Sequence, residues 1–116
     1  MSNLARLDKM QEAVSLLSDV YYKATINHLR VFLYIAARDG RVIETRDLPG
    51  ALGMTQTTIN RTMRSMADRS YIHAEGFGLL KMHINPADER QRFVQLSDKG
   101  RRVARKIEEL IYGDDT

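Results

Sequence analysis

The sequence predicts a mainly α (α+β) fold in a single domain, residues 1–116. Three observations predict it. Apolar residues recur at spacings of three and four over several segments, which is the period of an amphipathic helix. They alternate one by one with polar residues only around 80–85 and 93–96, which is the period of a strand. A chain of 116 residues can bury one small core, and pairing with a second copy would enlarge it.

Residues 3–23 read as the first helix. Leu7, Met10, Val14, Leu17 and Tyr21 form one stripe, and Leu4, Ala13, Leu16 and Val20 widen it. So wide an apolar face is expected to serve as a homodimer seam; packing on its own domain is the alternative. Thr25 is placed to cap a second helix that runs to about Arg38. Leu29, Val31, Phe32, Leu33, Ile35, Ala36 and Ala37 make that helix apolar nearly all round, as expected of a buried central element. Asp39-Gly40 is expected to end it. Val42-Ile43 is a short strand candidate. A short helix through Leu52 starts at Thr45 or at Asp47, or is irregular; Pro49 is awkward for a start at Thr45, because proline sits comfortably only in a first turn. Gly53 closes it. Thr55 caps the next helix, expected to reach about Arg69, with Ile59, Met63 and Met66 inward. A hairpin follows, with Leu80, Met82 and Ile84 on one face of its first strand and Val94 and Leu96 on the second. Asn85-Pro86-Ala87-Asp88-Glu89 supplies turn chemistry between them. Ser97 caps a last helix whose inner face is Val103, Ile107, Leu110 and Ile111. A helix-turn-helix over 45–69 followed by a two-stranded wing over 72–97 is a winged helix, here with a helix on either side.

Charge is uneven along this chain. Residues 55–106 carry eleven Lys/Arg against five Asp/Glu, whereas residues 1–54 carry seven against six and residues 107–116 none against four. A local positive field favours phosphate and speeds encounter with nucleic acid; a solvated basic face is the plainer alternative. There is no cysteine, which removes disulfides and thiolate metal sites and fits a reducing cytoplasm. No apolar run of membrane-spanning length and no signal-peptide pattern is present. His28, His73 and His83 are scattered without metal spacing, so no metal is expected. No phosphate loop, nucleophile elbow or catalytic carboxylate pair appears, so neither an enzyme nor a cofactor is expected.

Two stretches carry recognition chemistry. A helix over 56–69 would be ~21 Å long and would fit a major groove ~12 Å wide. Gln56, Thr57, Asn60 and Arg61 lie at its N-terminal end, which reaches deepest in helix-turn-helix proteins, and Arg64 lies one turn further on. Gln and Asn can pair with adenine and Arg with guanine, while Thr can bond a base or touch a thymine methyl. Thr55 and the first backbone N–H groups suit a phosphate instead. On the hairpin, Lys81, Arg90 and Arg92 bring three cations, and Asp88 is spaced to orient Arg90. A fixed arginine at such a tip suits a narrow minor groove; an exposed ion pair of little consequence is the alternative.

Three segments together resemble the MarR family of bacterial winged-helix regulators: Leu52-Gly53-Met54-Thr55-Gln56-Thr57-Thr58-Ile59-Asn60-Arg61, Asn85-Pro86-Ala87-Asp88-Glu89-Arg90 and Val94-Gln95-Leu96-Ser97-Asp98-Lys99-Gly100. The likeness covers about residues 25–106. It implies a homodimer on a pseudo-palindromic operator in double-stranded DNA, with the terminal helices, 3–23 and 98–112, as the dimer interface. Leu4, Leu7, Met10, Val14, Leu17, Tyr21, Ile107, Leu110 and Ile111 are the residues expected there. It also implies that Arg90 is the wing-tip minor-groove residue and Asp88 its partner. The sequence departs from the family in three places. One helix follows the wing where the family adds another, which shifts dimer contact towards 3–23 and counts against an effector pocket. His73-Ala74-Glu75-Gly76-Phe77-Gly78 lengthens the approach to the wing, and Pro49-Gly50 weakens the helix before the turn. No residue pattern indicates a small-molecule effector; Tyr21, Tyr22 and Tyr34 read either as core or as the lining of such a pocket. The expected function is a DNA-binding transcription regulator, more a repressor than an activator. A winged-helix adaptor for another protein, or a ligand sensor, is the competing expectation.

Overall fold

The computed structural model describes residues 4–20, 23–38, 41–67 and 77–113. Tyr21, Tyr22, Asp39, Gly40 and His73 lie outside them, and so does Arg69, the expected helix end.

The first helix opens as a 3-10 turn, Leu4–Arg6, and continues as α1, Leu7–Val20. Ala13 and Leu17 are buried, with Leu16 and Val20 packed beside them. The other half of the apolar stripe faces outward: Leu4 is 72% exposed, Leu7 and Met10 57% each. α2, Ile26–Ala36, begins on Thr25 as expected, in a reciprocal cap with His28. Val31, Phe32 and Ile35 are buried, but Ile26 and Leu33 are exposed. The helix is therefore two-sided rather than buried all round, and it ends at Ala36, two residues short of Arg38. The short strand β1 is Ile43–Glu44, one residue later than expected, and Val42 is exposed. A 3-10 turn, Thr45–Asp47, leads into α3, Leu48–Leu52, with Pro49 in its first turn. The two alternative starts thus correspond to two different kinds of turn in succession. Gly53 takes a left-handed φ of 66°, which makes the sharp turn into the next helix easy for glycine and costly for other residues.

That helix is α4, Gln56–Met66. Thr55 Oγ1 accepts from the Thr58 N–H at 3.1 Å, so the expected cap forms. Ile59, Met63 and Met66 are buried. α4 stops earlier than the expected Arg69 because Ala67 turns to an extended conformation and enters an isolated parallel bridge with Leu80. Strands β2, Leu80–Asn85, and β3, Asp88–Leu96, form the wing, and the three-stranded antiparallel sheet has the order β1-β3-β2. The turn is tighter than expected: only Pro86 and Ala87 lie outside the strands, and Asn85 Oδ1 accepts from the Ala87 N–H at 2.9 Å. Ile84, expected inward, is 55% exposed because the hairpin projects past the core before its tip. The last helix, α5, Asp98–Tyr112, is capped by Ser97, whose Oγ accepts from the Gly100 N–H at 3.0 Å. Its inner face is Val103 and Ile107, with Leu110 and Ile111 only half-buried.

One core serves all these elements. α2 supplies Phe32 and Ile35, α4 supplies Ile59, Met63 and Met66, and the sheet supplies Leu80, Val94 and Leu96. Leu48, Phe77 and Leu79 fill the space between them. α1 packs along α5 on one side of this core, away from the wing tip. Arg30 Nη2 donates to the Leu52 carbonyl at 2.5 Å and ties α2 to the end of α3.

Candidate nucleic-acid interface

The burial of Ile59, Met63 and Met66 decides which way α4 faces. With those three pressed into the core, Gln56, Thr57, Arg61 and Arg64 are left exposed and Asn60 half-exposed. Thr55 is exposed at the cap. Gln56 Nε2 donates to Asn60 Oδ1 at 2.9 Å, one turn apart, which holds both amides in line on the outer surface. Their remaining donors and acceptors point away from the protein's own backbone ladder. The expected residues of this helix therefore share one polar surface. α4 is about 16 Å long over its eleven residues, still enough to lie across a groove ~12 Å wide.

The wing carries its cations less uniformly than the sequence suggested. Asp88 Oδ1 accepts from the Arg90 backbone N–H at 3.0 Å and approaches Arg90 Nε at 3.4 Å. The Arg90 side chain is 93% exposed, so this pair orients the guanidinium but contributes little stability. The register shifts between Ile84 and Asn85, and Arg90 sits in that irregular stretch next to the turn. Arg92 pairs with Ile84, whereas Lys81 pairs with Gln95 near the root of the hairpin. Residues an odd number apart along a paired strand point to opposite faces. Lys81 and Arg92 thus lie on opposite faces, and only Arg90 and Arg92 are close to the tip. Asn85 Nδ2 donates to Gln91 Oε1 at 2.6 Å and staples the tip across the irregularity.

His28 is the residue that sequence reasoning passed over. Its Nδ1 accepts from the Thr25 N–H at 2.9 Å, and its Nε2 lies 2.6 Å from Ser65 Oγ. The Ser65 hydroxyl already donates to the Thr62 carbonyl at 2.9 Å, so Nε2 must be the donor and the ring is neutral. Burial lowers its pKa from the ordinary 6.5, in the same direction. The ring also lies 4.8 Å from that of Phe77, centroid to centroid. One imidazole thus fastens the start of α2 to the last turn of α4. A sequence signal existed in the Thr25–His28 capping spacing, but nothing local pointed to Ser65, thirty-seven residues away.

Away from the polar face, the outward residues of α1 meet the end of α5. A groove of about 220 Å³ is lined by Arg6, Leu7, Lys9, Met10, Ile111 and Tyr112. Leu17 and Ile107, expected at a dimer seam, are spent on the protomer's own core at 2% and 5% exposure. Tyr34 is half-buried with the Arg38 guanidinium 3.6 Å above its ring, a packing role rather than the wall of a cavity. Among the described residues no group of three His, Asp or Glu side chains could hold a metal ion, and no helix is long and apolar enough to cross a membrane.

Neither a protein-family sequence profile nor any curated protein sequence matches the chain. Solved structures do. A mutant of MepR from a multidrug-resistant S. aureus clinical isolate superposes with a TM-score of 0.70 at 15% identity, over 92% of this chain and 70% of that one. The S. aureus MepR–DNA complex gives 0.67 at 16% identity, over 94% and 82%. A mutant of E. coli MarR complexed with operator DNA gives 0.60 at 21% identity, over 96% and 75%. At such low identity the likeness is one of fold, and by fold the chain is a winged helix of the MarR type.

Proposed function

We propose that the chain is a sequence-specific regulator of transcription that binds double-stranded DNA as a homodimer. α4 enters the major groove, with Gln56, Thr57, Asn60 and Arg61 at base edges and Thr55 with the first N–H groups on a phosphate. Arg64 and Lys81 meet the backbone, and Arg90, steered by Asp88, reaches the minor groove with Arg92 beside it. Leu4, Leu7, Met10 and Val14 of α1 pair with the half-buried Leu110 and Ile111 across the two-fold axis, which sets half-sites ~34 Å apart on a pseudo-palindrome. Occlusion of a promoter makes the regulator a repressor. It acts on the nucleoid, in the cytoplasm, without metal, cofactor or enzymatic chemistry.

The observation that carries this reading is the outward polar face of α4. Its paired amides and arginines stand clear of the core on a fold similar to those of MepR and MarR, each of which has been solved in complex with DNA. The test is selection of bound duplexes from a random pool, followed by a salt titration. A palindromic consensus with log K falling linearly in log salt is expected. Absence of enrichment at any salt favours the competing role, an adaptor for another protein.

A further inference from the structure

The three residues Phe77-Gly78-Leu79 make hydrogen bonds in two opposite directions. Their N–H groups all donate to the end of α4: Phe77 to the Ser65 carbonyl at 2.9 Å, Gly78 to Ala67 at 3.1 Å and Leu79 to Met66 at 2.8 Å. Their carbonyls all accept from the start of α5: Phe77 from Lys99 Nζ at 3.0 Å, Gly78 from Ser97 Oγ at 2.5 Å and Leu79 from the Ser97 N–H at 3.0 Å. Both apolar side chains of the segment are buried, and Gly78 takes a left-handed φ of 71° between them. Gly100 completes the contact, since a Cβ there would overlap the Leu79 carbonyl oxygen. Backbone groups bound on both sides leave the segment no freedom to slide. It forms a strut between the start of α5 and the last turn of α4.

We propose that Ser97 and Lys99 are positioning residues for DNA recognition, setting the angle of α4 through residues 77–79 without touching DNA. The inference rests on the DNA-binding reading of α4 and extends it to the helix that abuts the dimer seam. Ser97 has two tasks on one hydroxyl, capping α5 and donating to Gly78, and threonine can perform both. Lys99, although exposed and within the basic stretch of the sequence, reaches back to donate to the strut.

The test uses the full chain with Ser97→Ala, Ser97→Thr, Lys99→Met and the double variant Ser97→Ala/Lys99→Met. Arg102→Met, which removes an exposed cation from the same helix, controls for charge. Two readouts are taken: affinity for the selected duplex and amide hydrogen exchange at residues 63–67 and 77–79. The double variant is expected to bind about tenfold more weakly than Arg102→Met, to remain dimeric, and to exchange faster at both segments. Ser97→Thr restores both readouts. Unchanged exchange at these amides, or an affinity loss no greater than that of Arg102→Met, overturns the proposal. If the parent chain binds no duplex, the DNA-binding reading fails, and the exchange measurement still decides whether the strut exists.

Discussion

In the proposed DNA complex Arg90 and Asn60 divide the work of contact, and their surroundings explain how. Arg90 is held by a neighbouring carboxylate on an exposed tip, so it offers charge and direction but no base code. Arg90→Ala is expected to weaken binding evenly across sequences and to lower the salt slope by about one. Asn60→Ala and Arg61→Ala are expected to cost about 1–3 kcal/mol at the preferred base and to relax preference there. Titrations on matched and scrambled duplexes check both, and unchanged preference in all three variants removes these contact assignments. His28 gives a pH dependence at the same scale. Its folded pKa lies below the ordinary value, so the unfolded chain binds more protons near and below pH 6.5. Its contribution is complete above that pH and is lost as pH falls through the folded pKa. Thermal midpoints measured from pH 8 to pH 5 should decline more steeply for the parent chain than for His28→Gln; parallel curves contradict the assignment.

Among the elements, α4, β2 and α5 are joined closely through residues 77–79 and Gly100. Leu96-Ser97-Asp98-Lys99-Gly100 starts α5 with a cap from Ser97, ties from Ser97 and Lys99, and a close approach at Gly100. Gly100→Ala forces the Leu79 carbonyl away and is expected to cost about 1–3 kcal/mol of stability, read as a lower thermal midpoint. An alanine variant that melts with the parent chain would mean that the helix can shift at no cost. α4 itself was legible from Thr55, because a threonine cap and a 3.6-residue apolar period are both local signals. Its C-terminal end was not, because Ala67 turns to an extended conformation where Met66 and Ala67 accept hydrogen bonds from Leu79 and Gly78, far along the chain. The wing shows the same split. Its alternation placed Leu80, Val94 and Leu96 inward, but the register that sets Lys81 against Gln95 and Arg92 against Ile84, and so puts the two cations on opposite faces, depends on how the two strands meet.

At the scale of the whole molecule, the chain spans 54 × 27 × 25 Å with a radius of gyration of 15.1 Å. A compact domain of this length would have a radius near ~13 Å. The excess reflects a hairpin that projects past the core and a helix pair lying along its other side. Leu4, Leu7 and Met10 are left exposed there beside the groove at Ile111 and Tyr112. An apolar surface of this kind fits a second copy. Met10→Asp is expected to yield monomers in analytical ultracentrifugation and to weaken operator binding about a hundredfold through loss of bivalency. A dimer that survives both Met10→Asp and Leu7→Asp would place the seam elsewhere. Leu17 and Ile107 would be poor probes, because replacing them opens the protomer's own core.

The sequence by itself determined the order of elements, the caps at Thr25, Thr55 and Ser97, the inward face of α4, the inward Val103 and Ile107 of α5, and the pairing of Asp88 with Arg90. All of these arise from interactions within a few residues, whose energies are set before the chain closes on itself. Tertiary structure alone decided that α2 is open on one side, that half of the α1 stripe stays outside the core, and that His28 reaches Ser65. It alone also bound residues 77–79 between α4 and α5. Those outcomes depend on contacts between residues distant in sequence, where packing and backbone hydrogen bonding outweigh local preference.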